Sequence, residues 1–562
     1  MTAVADLPGI YCAARKVQAD RQIRRFARPL IRLWDGDWVL RGLVTGEMSG
    51  SFIWMLNESG TGKLVLPYDH YLAKWATGTV GTSKQNVHIT VDTATGARWG
   101  GRLSKAIIKT DEEGIVTVEL DFLHDYEELK HIDVWSNPLL PAIFQFPKDF
   151  ILAGPSVWTL KTALFLQLLR LEASLWALPD DPMDVNEWFD LDQSTWPIVV
   201  APGDILSDGS LWTVFVSRWK IFHEAAAPTL DFAQLAVSTR RWLTGDPPPW
   251  PGAVLRNGCL VIDFVDKSGF YGPGGTSTGG NAFTGLAYTG EVLINDFLDN
   301  QGVILPDPND PSEYRNPGWI GTLPYDPWVI YRPEKHTGIQ SSTFTITPYT
   351  DVQMLSGGHS MPGVNEAIEA GIELAGELFG AAIQATGIGI LAGGTGIGAS
   401  IGNIAETILS PMLTDVVLAW VSFKDPIRAL NAGWSHYYEH FQTGADNAYT
   451  LDSLIALVAA LWATRSFFSH DLIVANGAPF LIGDQGLGDF FLGDRVGSTV
   501  QGMPPGEIFV DQVSQLELAW DRKTIPDWKI VIGTSRETED PFGKLLKMMQ
   551  TALGGLADLS FL

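Results

Sequence analysis

Trp34 to Trp75 read WDGDWVLRGLVTGEMSGSFIWMLNESGTGKLVLPYDHYLAKW, short apolar runs of β-forming residues broken by Asp-Gly and Gly-rich turns. Val39, Leu40, Ile53, Met55, Leu64 and Leu66 fall in those runs, and β-formers bounded by turn residues mark strands. Asp35-Gly36 and Gly60-Thr61-Gly62 are placed to supply the left-handed backbone that tight turns need. The stretch predicts a β-meander, not a catalytic cradle.

Downstream, Val87 to Val91, Ile107-Ile108 and Val116 to Leu120 are further apolar runs, separated by Thr-Gly and Glu-Gly turns. With the meander they predict a β-barrel over residues 31–153, preceded by a basic arm, 1–30. From Val157 to Ala177 the period changes: Leu160, Leu164, Leu168, Leu171 and Leu175 recur at helical spacing. This predicts a helical connector, 154–187, stopped by Pro179 and Pro182. Residues 188–350, rich in Trp, Pro and Gly, predict a second β-rich module with strands such as Cys259 to Phe264 and Glu291 to Ile294. Two Pro/Gly stretches in it, Asp246 to Pro251 and Gly272 to Gly280, are surface loops by composition. Residues 351–425 combine a strand at Val352 to Leu355 with a Gly-rich apolar helical region, and 426–470 are helical around Leu451 to Phe468. A C-terminal β module, 471–540, and a terminal helix, 541–562, complete a chain that is mainly β with additional helices, an α+β class.

A chain of 562 residues has room for three or four domains at roughly 150 residues each. Lys and Arg number 38 against 64 Asp and Glu, a formal charge of -26, which opposes bulk attraction to nucleic acid or anionic lipid. Specific nucleic-acid binding is excluded as the main task, although an acidic passage would keep DNA from sticking. The positive charge is uneven: Arg15, Lys16, Arg21, Arg24, Arg25, Arg28 and Arg32 crowd the start with only Asp20 opposing them. Arg21, Arg24, Arg25, Arg28 and Arg32 are interface candidates for docking on an acidic neighbour, the alternative being a solvated helix face. Cys12 and Cys259 stand far apart, leaving no disulfide framework and no CxxC metal pattern. The N-terminus has no charged-then-apolar signal segment, which argues against Sec export.

Several strings invite chemistry. Between Glu377 and Glu406, LFGAAIQATGIGILAGGTGIGASIGNIA has no charged residue and the length to cross a bilayer, about 20 residues. Its glycines, with GxxxG spacing at Gly389/Gly393, Gly394/Gly398 and Gly398/Gly402, suit close helix packing. A buried helical hairpin meeting at Gly393-Gly394, a segment that inserts into a membrane and a loop are the competing readings. For the second, Phe379, Ile383, Ile388, Ile390, Leu391 and Ile397 are the membrane-contacting candidates. His436, Glu439 and His440 match HxxEH; on a helix, His436 and His440 would share a face and hold zinc while Glu439 activates water. The default is structural histidines among aromatics. Gly358-His359-Ser360-Met361-Pro362 lacks the last glycine of a nucleophile elbow, so Ser360 reads as part of a helix cap. Gly60-Thr61-Gly62-Lys63 ends like a phosphate loop, but Asn57 and Leu64 replace the required Gly and Ser/Thr. Asp484, Asp489 and Asp494 follow glycines at a five-residue beat that matches no calcium loop. Trp250 and Trp319 offer rings to envelope sugars, with core and interface packing the alternative. No catalytic residue and no cofactor is expected.

The meander, LHDYEELKHIDVWSNPLLP (Leu123 to Pro141) followed by Phe146-Pro147-Lys148, GGHSMPGVNEAIEA (Gly357 to Ala370), HYYEHFQTGADNAYTLDSLIAL (His436 to Leu457) and FFLGDRVGSTV (Phe490 to Val500) occur in this order. Together they resemble the minor tail proteins of siphophages that infect actinobacteria. The resemblance implies a multidomain tail-hub architecture with β-barrel modules and a Gly-rich helical hairpin. It implies a homotrimer at the tail tip, two similar barrels per chain matching a sixfold tube, and a role in host attachment and genome delivery. Its implied partners are the distal tail or tube protein, the tape measure protein, other minor tail proteins and the host envelope. Alternatives of other classes are a tip-associated zinc hydrolase acting through HYYEH and a membrane-perturbing protein acting through residues 378–405.

Overall fold

The computed structural model describes residues 7–79, 84–112, 114–173, 188–267, 467–499 and 507–532, with shorter segments at 178–179, 181–184, 281–282, 284–285, 304–306, 329–332, 338–348, 350–357, 420–424, 426–442 and 464. The first part comprises α1 (Leu7–Arg25), β1 (Leu30–Asp35), β2 (Leu40–Leu43), β3 (Ser49–Met55), β4 (Thr61–Pro67), α2 (Tyr71–Gly78), β5 (Val87–Asp92), β6 (Arg98–Thr110) and β7 (Val116–His124). The middle part holds β8 (Asp133–Val134), β9 (Phe150–Pro155), α3 (Ser156–Glu172), β10 (Ile198–Val200), β11 (Trp212–Ser217), β12 (Lys220–Ile221), α4 (Phe222–Phe232), β13 (Leu235–Arg241) and β14 (Leu260–Asp266). The rest comprises β15 (Ile304–Pro306), β16 (Ile330–Tyr331), β17 (Ile339–Thr347), β18 (Asp351–Gly357), β19 (Trp420–Lys424), α5 (Pro426–Ala432), β20 (Tyr437–Gln442), β21 (Phe467–Val474), β22 (Arg495–Ser498), β23 (Glu507–Asp521) and β24 (Asp527–Ile532).

The predicted meander is present, with alternate residues buried: Phe52 and Trp54 on β3, Leu64 and Leu66 on β4. Period-two alternation places these on one face. The turn chemistry differs from expectation. The left-handed residues are Trp38 (φ 57), Gly46 (φ 82) and Asn57 (φ 55), whereas Thr61 and Gly62 already belong to β4. The carboxylate of Asp35 accepts hydrogen bonds from the amides of Asp37 and Val39, which holds the first turn without a left-handed Gly36. Gly60 is required for space: a Cβ there would lie 1.8 Å from the carbonyl oxygen of Ile53.

These strands do not close a module of their own. One 12-stranded sheet runs β16-β22-β23-β3-β4-β7-β6-β5-β1-β2, with β15 and β24 also on β23. β23 lies antiparallel to β3, placing Leu516 opposite Trp54, Leu518 opposite Phe52 and Trp520 opposite Gly50. Leu516, Leu518, Trp520, Trp528 and Ile530 are buried in the same core as Phe52, Trp54, Leu64, Leu66 and Trp99. The expectation of a separate C-terminal module over 471–540 is therefore corrected: its strands extend the N-terminal sheet, because the apolar face of β3 is covered only when β23 and β24 are in place.

The boundary at 153 also moves. Tyr126, Leu129, Ile132, Val134 and Phe150 belong to a second core with α3, α4 and the strands up to Phe264, so the first module ends at His124. α3 is not a connector. It is apolar almost all round, a pattern that fits a buried helix: Leu160, Ala163, Leu164 and Leu168 are fully buried while Phe165, Leu166, Leu169 and Leu171 are partly so. Its first amides are satisfied from a distant loop, Trp158 donating to Asp208 and Val157 to Ser210. Around it lie the pairs β9·β11 and β8·β12 and the three-stranded β10-β14-β13. The second barrel expected in the middle region is thus, among the described residues, three small sheets packed on two helices.

Farther on, β17 pairs with β21, and β18 is flanked by β19 and β20. The helical reading of 426–470 is corrected in part: α5 is short, and Tyr437–Gln442 and Phe467–Val474 are strands. Most of the predicted helix over Leu451 to Phe468, the Gly-rich region and the terminal helix 541–562 lie outside the described residues.

Candidate assembly interface and the joint beneath it

The two cores meet at a charged joint. Arg98, on β6, is ion-paired to Asp92 on the adjacent strand and to Asp246 in the loop after β13, and donates to the carbonyl of Arg241 at 2.8 Å. Burial works against its charge, but hydrogen bonding to Asp246 and the nearness of Asp92 hold its pKa above the ordinary value. Arg241, at the end of β13, donates twice to Asp125 at 2.8 and 3.0 Å and once to the carbonyl of Gly258. Both side chains of that pair are buried, at 4% and 1% exposure. The guanidinium also lies 4.7 Å from the ring centre of Trp38, which stacks on His88 at 4.7 Å.

Two histidines flank Arg241. His88 and His124 are both buried, with His88 Nδ1 and His124 Nε2 unpartnered. Burial, then the charges of Arg241 and Arg102, push His88 down to about 2; burial, then Arg241, pushes His124 down to about 3. The unfolded chain protonates such imidazoles near pH 6.5 while the folded chain leaves them neutral, so stability falls as pH drops from about 6.5 toward about 3. The loss is on the order of 1.4 kcal/mol per histidine per pH unit. Unfolding midpoints measured from pH 7 to 4 are expected to fall steadily, and His88→Phe is expected to flatten the slope. An equal slope in that variant would contradict this origin.

Above the joint, the far end of the sheet is an edge among the described residues. β2 is its last strand, and Leu40 and Leu43 on it are both 46% exposed. Val39, Leu30, Tyr68 and Tyr71 extend the exposed apolar margin. Tyr71, at the start of α2, leans over Gly42, where a Cβ would meet its hydroxyl at 2.2 Å. An exposed apolar edge strand is a pairing template in water.

The arginine candidates divide. Arg21 is ion-paired to Asp489, Arg25 donates to the carbonyls of Pro479 and Phe480, Arg28 lies 3.6 Å from Glu47, and Arg32 is paired to Asp92. These four fasten the start of the chain to its own body. Arg24 is exposed on α1. The membrane candidates Phe379, Ile383, Ile388, Ile390, Leu391 and Ile397 lie outside the described residues, as do Ser360 and Trp319.

HYYEH is not helical. Tyr437–Gln442 is β20, with His436 immediately before it, so Glu439 projects to the face opposite His436 and His440. The aromatic and bulky residues favour a strand, and the i, i+4 geometry of the zinc reading is lost. His440 is 4.0 Å from Asp351, and among the described residues no three His, Cys, Asp or Glu side chains gather as a metal set. The three aspartates act as braces: Asp489 accepts from the amide of Leu481, Asp494 accepts from the amide of Phe491 and pairs with Lys267, and Asp484 faces Arg240 at 3.7 Å. Trp250 packs against the second core. The joint formed by Arg98, Arg241, His88 and His124 was not anticipated from sequence; its signal was arginine inside otherwise apolar strand runs, ARWGGRL and STRRWL.

The profile of a family described as Siphovirus ReqiPepy6 Gp37-like protein matches residues 30–534. The chain is 34% identical to "Minor tail protein Gp28" of Mycobacterium phage L5 and 33% identical to "Minor tail protein Gp28" of Mycobacterium phage D29, covering 100% of each chain in both cases. It is also similar, at 9% identity and a TM-score of 0.37, to the 43 kDa tail protein of prophage MuSo2 from Shewanella oneidensis, over 92% of this chain and 99% of that one. A superposition that loose carries no argument.

Proposed function

The chain belongs to the siphovirus Gp37-like family and is a minor tail protein of the phage virion, and from that premise we propose that it forms the trimeric hub of the tail tip. Three copies arranged about the tail axis join the tube to the distal tip proteins and take part in host attachment and genome delivery. The observation that carries this reading is the exposed apolar margin along β2, with Leu40, Leu43 and Tyr71 facing water in a lone chain. Permanent assemblies bury large apolar surfaces of this kind, and an edge strand left open in a soluble chain calls for cover. The net charge of -26 suits a collar through which DNA passes without adhering.

Native mass spectrometry of the purified protein is expected to give a particle three times the 61.4 kDa chain mass, and imaging of the virion is expected to place it at the tip with threefold symmetry. A monomer at every concentration tested, or density elsewhere along the tail, would remove the hub reading while leaving the chain a minor tail protein.

A further inference from the structure

The loop between β8 and β9 is built inside out. From Ser136 to Pro147 it reads SNPLLPAIFQFP, twelve residues without a charge, and Leu139, Ile143, Phe144 and Phe146 on it are 69%, 95%, 63% and 52% exposed. Its two amide side chains are committed to its own backbone. Asn137 accepts from the amide of Leu139 at 2.9 Å and donates to the carbonyl of Phe146 at 2.7 Å. Gln145 accepts from the amide of Asn137 at 2.7 Å and donates to the carbonyls of Leu140 and Pro141 at 2.9 and 3.0 Å. Ser136 closes the base by donating to the carbonyl of Lys148 at 2.7 Å. The loop is therefore a fixed knob with an apolar tip.

Around its base stands a collar of different chemistry. The turn from β11 to β12 brings Arg218, Trp219 and Lys220, all exposed, beside the loop: Trp219 donates its amide to the carbonyl of Val134 at 3.0 Å, and its ring lies 4.6 Å from that of Trp135. Lys148 is exposed at the other foot, so three cations stand against two acids, Asp133 and Asp149, at the base. We propose that the tip of this loop inserts into the surface of a lipid bilayer, with Trp219 at the headgroup level and Lys148, Arg218 and Lys220 against the lipid phosphates. Protein contacts carry about one hydrogen bond per 100–200 Å², and the exposed side chains of this tip offer none. Hydrocarbon asks for none, but it requires that backbone polar groups be satisfied from within, as Asn137 and Gln145 do for the groups they reach. An uncharged run of this length is too short to span a bilayer and fits an interfacial segment, and tryptophan favours the headgroup level. The formal charge of -26 does not oppose the contact, because at physiological salt charges are screened beyond about 8 Å and the lipid meets the collar first. This inference goes beyond the hub reading and does not depend on the number of copies.

Flotation of the full-length protein with vesicles of equal parts phosphatidylcholine and phosphatidylglycerol tests the contact. The protein is expected to float with them. Ile143→Ser/Phe144→Ser is expected to weaken binding about tenfold or more at an unchanged melting temperature, since both side chains already face water. Arg218→Glu/Lys220→Glu is expected to lose the preference for these vesicles over phosphatidylcholine alone. A second readout locates the contact, because α1 also exposes basic residues. In Cys12→Ser/Ile143→Cys, an environment-sensitive dye on the new thiol, Cys259 being buried, is expected to shift its emission to shorter wavelengths on the vesicles. No flotation, flotation undiminished in Ile143→Ser/Phe144→Ser, or a dye emission unmoved by vesicles would overturn the proposal. Loss of flotation together with a native mass below that of the unaltered chain would make the loop a contact between copies and would also overturn it. The native mass of the unaltered protein decides the hub reading separately, so either can fail while the other stands.

Discussion

A fragment ending at residue 480 is expected to lose the native packing of its N-terminal sheet, although every strand from β1 to β7 is still present. β23 and β24 bring Leu516, Leu518, Trp520, Trp528, Ile530 and Ile532 into the first core, none more than 5% exposed. Trp520 stacks on Phe52 at 5.7 Å and Trp528 meets Trp54 at 5.2 Å. Loss of a single large buried side chain costs about 2–5 kcal/mol, so losing six exceeds the whole stability of an ordinary domain, roughly 5–15 kcal/mol. The check is near-ultraviolet circular dichroism, tryptophan emission and limited proteolysis of the fragment beside the full chain. Addition of a 485–532 peptide is expected to recover the native signal in part. A fragment that keeps the native near-ultraviolet spectrum and a cooperative melt would show that β3 does not depend on β23.

The next largest effect belongs to Arg241. In Arg241→Ala, Asp125 becomes a buried carboxylate without its partner, a change that costs about 3–5 kcal/mol. The ring of Trp38 and the carbonyl of Gly258 lose their cation as well. Denaturant unfolding is expected to show the loss as a lower midpoint. Asp125→Ala/Arg241→Ala is expected to cost less than the sum of the two single changes, because the pair is coupled. A shift below about 1 kcal/mol for Arg241→Ala would mean that water reaches the joint and solvates Asp125, in the manner of an exposed pair.

The strands between Ser49 and His124 were legible because each carries its own signature: alternating apolar residues between turn formers. Their closure by β23 was not, since Ser51 and Glu517, hydrogen-bonded across the sheet, are 466 positions apart and no local pattern records such a pairing. α3 was visible as a helix, but the leucine spacing did not say what packs on it. Phe165, Leu166 and Leu169, off the main stripe, were the overlooked sign of burial on more than one side. The helical reading of 426–470 failed at HYYEH because two histidines four apart are as compatible with a strand as with a helix; Tyr437, Tyr438 and Phe441 weighed toward the strand. The basic arm was legible as charge. Which arginines serve the chain's own body is a property of tertiary structure, decided by where Asp489, Glu47 and Asp92 lie.

The antiparallel seam of β3 and β23 also orders events in time. During translation β3 leaves the ribosome hundreds of residues before its neighbour, and its flank stays unclosed until that late strand arrives. A polypeptide that ends before that strand is consequently left with the apolar flank of β3 uncovered.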